Sequence, residues 1–207
     1  GPHYYKVELD QYQVKAEMTA STRCGLLRFT FQNEGDGHLV INPNSDEGEG
    51  FVQVIPEKNE IVGYNPVHRI YQGWGKPAGF SGYFVMRMKK SAIEYGVYSG
   101  DQIFERKTTL SKQPNLGGYF SFSVKKGEQV LVKIGTSFVS IDQARKNLDA
   151  EIPDFDFVKA QEALKNKWQE ILSRIEVESS STDELVKFYT AMYHSFQQPR
   201  VYNDVDG

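Results

Sequence analysis

Along the first two-thirds of the chain, apolar and polar positions alternate with a period of two, the mark of strands that bury one face. About eleven such runs follow one another: Tyr4–Leu9, Val14–Thr19, Leu26–Phe31, His38–Ile41, Phe51–Ile55, Glu60–Tyr64, Tyr83–Met88, Ala92–Tyr98, Ile103–Leu110, Tyr119–Val124 and Val130–Phe138. In Tyr119–Val124, the side chains of Phe120, Phe122 and Val124 fall on one face and those of Tyr119, Ser121 and Ser123 on the other. Glu34-Gly-Asp-Gly37 and Ser99-Gly-Asp101 predict tight turns, and Lys125-Lys-Gly-Glu128 predicts a hairpin tip. The stretch from Tyr71 to Gly82, with glycine at 73, 75, 79 and 82, reads as a loop.

After Val139 the period changes to 3.6. Ser140-Ile-Asp-Gln143 has the form of a capping box and opens a short helix to about Leu148. Pro153-Asp154 restarts the chain with Asp154 as N-cap, and Phe157, Leu164, Trp168, Ile171, Leu172 and Ile175 line one face of a second helix. Ser179–Ser181 breaks it. A second capping box, Ser181-Thr-Asp-Glu184, begins a helix striped by Leu185, Phe188, Tyr189, Met192 and Phe196, which Pro199 ends. The expected fold is mainly β with C-terminal helices: an antiparallel β-sandwich over 1–139, a helical linker over 140–178, and the start of a further helical domain over 179–207. An ordered motif at the terminus, where polar and frayed tails are usual, suggests that the chain is part of something larger.

Composition narrows the class. An apolar share of 39% and an aromatic share of 13% in 207 residues fit a globular chain rich in strands. A net charge of −3 with scattered signs offers no basic stripe for nucleic acid and no polybasic cluster for anionic lipid. No apolar run approaches the length of a membrane span. The single cysteine, Cys24, cannot form an intramolecular disulfide and reads as a small buried residue.

Chemistry-bearing residues are sparse. The loop Tyr71–Gly82 carries Trp74 and Phe80, flat apolar plates beside permissive glycines, which suit the C–H face of a sugar ring. Asn42-Pro-Asn-Ser-Asp-Glu-Gly-Glu49 resembles a calcium loop only faintly, because Glu47 stands where the glycine should and Gln53 where the glutamate should; a solvated turn is expected. His3, His38, His68 and His194 show no metal-ligand spacing. His194 lies one residue off the helical stripe, at its edge or facing a neighbouring domain. Asp204 and Asp206 are either paired functional carboxylates or turn-forming acids, and the structural role is preferred.

Several stretches together resemble the family 92 glycoside hydrolases, calcium-dependent exo-α-mannosidases. They are Tyr4–Leu9, Val14–Ala20 with Gly25–Phe31, Gly79-Phe-Ser-Gly-Tyr-Phe84, and Phe188–His194 through Pro199 to Asp204-Val-Asp-Gly207. The resemblance implies a β-sandwich, a helical linker and then an (α/α)6 barrel, with the sandwich's opening strands upstream of Gly1 and most of the barrel beyond Gly207. It implies an inverting mechanism, in which a glutamic acid protonates the leaving oxygen and an aspartate activates water, the two carboxyls roughly 6.5–9.5 Å apart. It also implies a calcium ion on the sugar hydroxyls, held with the acid and base by barrel residues, so that no catalytic or metal residue is expected here. The sandwich would lend loops to the terminal-mannose pocket: Phe80 as an apolar wall, Ser81 as a polar contact, Gly82 beside them, and Trp74. The partners implied are mannose-containing glycans and the chain's own barrel, and the location implied is periplasmic or secreted. A stand-alone carbohydrate-binding or lectin-like module is the competing reading, in which the Trp74 and Phe80 loop is the whole site.

Overall fold

The computed structural model describes residues 1–43, 48–68, 75–198 and 200–207. Twelve strands come first among these residues: β1 Tyr5–Leu9, β2 Val14–Ala20, β3 Cys24–Phe31, β4 Gly35–Ile41, β5 Phe51–Ile55, β6 Glu60–His68, β7 Pro77–Met88, β8 Glu94–Ser99, β9 Gln102–Glu105, β10 Thr109–Ser111, β11 Leu116–Val124 and β12 Gln129–Ser137. Three helices follow, α1 Ile141–Glu151, α2 Phe157–Leu172 and α3 Thr182–Ser195. The strands form an eight-stranded sheet in the order β1-β2-β3-β12-β7-β6-β5-β10 and a four-stranded sheet in the order β4-β11-β8-β9. Every pairing is antiparallel.

The two sheets enclose the main core. Val52, Val54, Ile61, Met86, Met88, Val130 and Val132 of the large sheet meet Val97, Leu116, Phe120, Phe122 and Val124 of the small one. Alternation of side chains along each strand delivers these residues to one face, as in any sandwich. A second core lies on the outer face of the large sheet, where Cys24, Leu26, Val62 and Val85 pack under Ala144, Leu148, Ile152 and Phe157. Helix α1 approaches β12 so closely that a Cβ on Gly135 would stand 2.5 Å from the Ala144 carbonyl oxygen.

Charged residues of the same outer face lock the helices down. Glu60, fully buried, accepts from Arg87 Nε at 3.0 Å and Nη2 at 2.5 Å, and its other oxygen accepts from Arg145 of α1 at 3.2 Å. Glu17 accepts two bonds from Arg28, at 2.9 and 2.8 Å, and one from the Tyr4 hydroxyl at 2.7 Å. The Arg28 guanidinium in turn lies 4.2 Å from the ring centre of Phe157 at the start of α2. Lys133 is buried in the middle of β12 and donates to the Ile152 and Pro153 carbonyls at 2.7 and 3.0 Å, satisfying orphan acceptors where α1 ends.

Several expectations need correction. The Ile103–Leu110 run is two strands in different sheets, β9 and β10, separated by Arg106 at φ 58°. Glu34–Gly37 is not a turn throughout, because β4 already begins at Gly35 and pairs with Val124. Residues 77–82 are strand rather than loop, being paired with β6. Asp156, not Asp154, caps α2, since its carboxylate is the one that receives Lys159 N. The helix stops at Leu172, leaving Ile175 outside it. Ser140 and Ser181 cap α1 and α3 as expected. Trp74, the centre of the Asn42–Glu49 turn and Pro199 lie outside the described residues.

Candidate functional site

Strand β7 is twelve residues long and runs past the part of the large sheet that the small sheet covers. Phe80 is in phase with the core residues Phe84 and Met86, so it emerges on the same face beyond the sandwich, 45% exposed. A bulge sets its position. His68 pairs with Pro77 and Pro66 with Ser81, so that Ala78–Phe80 stand opposite Val67 alone. Gly79 occupies the bulge at φ +91°, a conformation that other residues adopt only under strain. Gly82 is different: a Cβ there would meet nothing nearer than the Asn65 carbonyl at 4.0 Å, so packing does not require glycine. Ser81 is half-buried next to it.

Phe80 does not stand alone. Its ring meets Phe138 edge-on at 5.5 Å, and Phe138 meets Tyr202 at 5.8 Å. Beside this cluster lies a cleft of about 370 Å³ bounded by Gly82, Tyr83, Phe138, Arg23 and residues 201–204. Phe138 and Tyr202 were not read as site residues from the sequence. Their only signal is an aromatic at the end of a strand and another just past a proline.

The chain's last segment is fixed against the strand ends by polar contacts. Arg23 donates to the Asn203 and Asp204 carbonyls at 2.6 and 3.1 Å, and to Glu151 at 2.6 Å. Burial pushes the Glu151 carboxyl up, but hydrogen bonds from Ser21, the Arg23 amide and the Arg23 guanidinium outweigh it and hold the group below the usual range. Asp204 is buried and accepts from Ser137 Oγ at 3.0 Å and Asn147 Nδ2 at 2.6 Å. Asp206 accepts from Gln143 and from Lys146, the latter at 3.3 Å. Both acids thus take the structural role, tying the segment to α1. Cys24 is buried, and burial pushes its thiol up to about 12, as expected for an inert packing residue.

Among the described residues, no three histidine, cysteine, aspartate or glutamate side chains gather to hold a metal ion. His38 bonds Ser121, His68 pairs with Glu49 at 3.0 Å, and His194 is exposed, its ring 5.4 Å from that of Tyr193. The Phe80 region therefore offers a stacking wall, a hydroxyl and a cleft, with its nearby acids already engaged.

Comparison with known proteins places this architecture. Residues 1–137 match the family model described as "Glycosyl hydrolase family 92 N-terminal domain", and residues 143–207 match that of the "Glycosyl hydrolase family 92 catalytic domain". A family 92 α-mannosidase of Bacteroides thetaiotaomicron, solved also in complex with mannoimidazole, is 30% identical, with a TM-score of 0.85 over 100% of this chain and 28% of its own. A family 92 inverting mannosidase of the same organism is 26% identical, with a TM-score of 0.86 over 96% of this chain and 26% of its own. An uncharacterized secreted glycosidase of Arthroderma benhamiae is 26% identical over 97% of this chain and 28% of its own length. The chain spans about a quarter of the length of these relatives. With the N-terminal family model covering well over half of its residues, the chain belongs to glycoside hydrolase family 92.

Proposed function

We propose that this chain is the N-terminal part of an inverting, calcium-dependent exo-α-mannosidase acting on the α-mannosides of glycans, and that it supplies one wall of the terminal-mannose pocket. One observation carries the reading. Phe80, on the sandwich, touches Phe138, which touches Tyr202 in the segment matched by the catalytic-domain model. An exposed aromatic on the seam between sandwich and catalytic domain is where a sugar ring could stack while barrel residues act on it. Ser81 and Gly82 follow it in the strand, and Trp74, whose residue type suits stacking on a sugar ring, completes the wall.

Residues 140–178 then act as a linker and 179–207 open the barrel. The general acid, the general base and the calcium ligands belong to residues outside this chain, since the acids at the cleft are held by Ser137, Asn147, Gln143 and Lys146. In isolation the chain hydrolyses nothing. The secreted description of the fungal relative supports export of the whole protein.

The test is the intact protein on α-mannosides. Mannose should be released first as the β-anomer, followed by NMR, with activity lost on chelation and restored by calcium. Release of the α-anomer, indifference to chelation, or action on α-glucosides alone would overturn the proposal.

A further inference from the structure

The outer face of the four-stranded sheet carries a feature that neither the core nor the Phe80 cleft explains. In register, Tyr119 of β11 stands opposite Gly96 of β8, and Tyr98 of β8 opposite Gly117 of β11. Each tyrosine lies down over its glycine. A Cβ on Gly96 would fall 2.7 Å from both Cε1 and Oη of Tyr119, and one on Gly117 would fall 2.2 Å from Oη of Tyr98. The Tyr98 hydroxyl reaches across β11 to donate to the Ile41 carbonyl at 3.3 Å. Bare backbone is covered in this way, which accounts for one face of each ring. Both rings remain half-buried and line the outer surface at the middle of the sheet.

These rings floor a shallow depression of about 520 Å³. Its ends are the exposed side chains of Val40 and Ile103. Its polar groups are Glu94, Asp101, Glu105 and a His38–Ser121 pair at 2.9 Å. Burial, then Glu105 and Glu94, hold the Tyr119 hydroxyl proton above its usual range, consistent with both carboxylates facing that ring. Among the described residues, the lining holds no lysine or arginine.

We infer that this face binds a neutral oligosaccharide, at a site separate from the Phe80 cleft. Flat rings accept the C–H face of a pyranose, and carboxylates offer hydrogen-bond acceptors, which suits a ligand rich in hydroxyl donors. The acidic rim repels phosphate, sulfate and nucleic acid. Four strands about 4.8 Å apart span about 14 Å, which gives room for a short run of sugars rather than one. That the sugars are mannose rests on the function proposed above; that they are neutral and hydroxyl-rich rests on the face itself.

Affinity electrophoresis of the intact protein through gels containing yeast α-mannan, dextran or polylysine tests the inference. We expect retardation by a neutral polysaccharide, weakened about tenfold by Tyr119→Ala or Tyr98→Ala and several-fold by the double change Glu94→Gln/Glu105→Gln, which spares the rings and the fold. Hydrolysis of a small aryl α-mannoside should be unchanged in all three variants. Retardation by polylysine alone, no retardation by either neutral gel, or equal retardation of wild type and the Glu94/Glu105 double variant would each overturn the site. A protein retarded by neutral glycan but inactive on every α-mannoside would sink the proposed function and leave this site standing.

Discussion

Phe80 concentrates the functional question in one side chain. Its ring meets Phe138 edge-on and is 45% exposed, so truncating it removes contact area from a bound sugar without opening the main core. Loss of an apolar contact worth about 1.5–3 kcal/mol would lower kcat/KM on α-mannosides by about tenfold to about 150-fold. Lys126, at the exposed tip between β11 and β12, lies in neither core nor cleft, and Lys126→Ala should leave turnover and Tm as they are. Steady-state kinetics of Phe80→Ala and Lys126→Ala in the intact enzyme, with Tm measured alongside, make the comparison. Equal kinetic effects would take Phe80 out of the site. Cys24 and Asp204 mark the other outcome at this scale, since burial and hydrogen bonding explain both without any chemistry.

At the scale of elements, the helices are docked through ion pairs as much as through apolar packing. Glu17 of β2, Arg28 of β3 and Phe157 of α2 form one such clamp. The bidentate Arg28 guanidinium is the largest influence on the Glu17 carboxyl, burial opposes it and Tyr4 assists it, and the group is held down at about 2. An unfolded glutamate titrates near 4.3. The folded state therefore binds its proton less readily, so the clamp's contribution is complete above about pH 4.3 and is lost as pH falls toward about 2. It amounts to at most about 3 kcal/mol. Denaturant midpoints measured from pH 6 to pH 2, as roughly spaced steps, should fall for the wild type and fall less for Glu17→Gln. That variant should also be weaker at neutral pH, because Arg28 loses its partner. Identical slopes would show that Glu17 contributes nothing to acid sensitivity.

The same elements explain how far the sequence could be read. Alternation correctly put Phe120, Phe122 and Val124 on the core face of β11 and Tyr119, Ser121 and Ser123 on the opposite one, although Ser121 is buried there beside its neighbours. Ser140 and Ser181 announced their helices through capping chemistry, which is local. Glu17, Glu60, Arg87 and Lys133 of β2, β6, β7 and β12 share the outer face of the large sheet with Leu26, Val62 and Val85. What no local pattern could reveal is that α1 and α2 cover this face, burying Glu60 and Lys133 completely. The Phe80 stretch failed for a related reason: glycines at 79 and 82 suggested a loop, whereas pairing with β6 and a single bulge make it strand. Of the nominated site, Phe80, Ser81 and Gly82 fall together at one strand end. Their neighbours Phe138 and Tyr202 are distant in sequence and were out of reach of any short-range argument.

Across the whole molecule, burial declines along the three helices. Helix α1 buries Ala144, Asn147 and Leu148 against the large sheet, α2 buries only Phe157, and α3 buries only Met192. Besides Met192, α3 meets the chain before it through Trp168 and Tyr193, ring centres 5.0 Å apart, and a bond from the Tyr189 hydroxyl to the Ile175 carbonyl, while Val186 and Phe196 remain exposed. Apolar area removed from water is what holds a helix of fourteen residues in place, since an isolated helix of that length is marginal. Opening α3 should thus require far less free energy than opening α1, whose removal would uncover Leu26, Val85 and Glu60 together. In the 207-residue chain, hydrogen exchange followed by mass spectrometry should show α3 amides exchanging at least about a hundredfold faster than those in the middle of α1. In the intact protein the contrast should shrink, because the stripe formed by Leu185, Phe188, Tyr189 and Phe196 would then have barrel helices to pack against. Equal protection of α1 and α3 in the 207-residue chain would mean that α3 is already at home in this body and that its stripe needs no further helices to cover it.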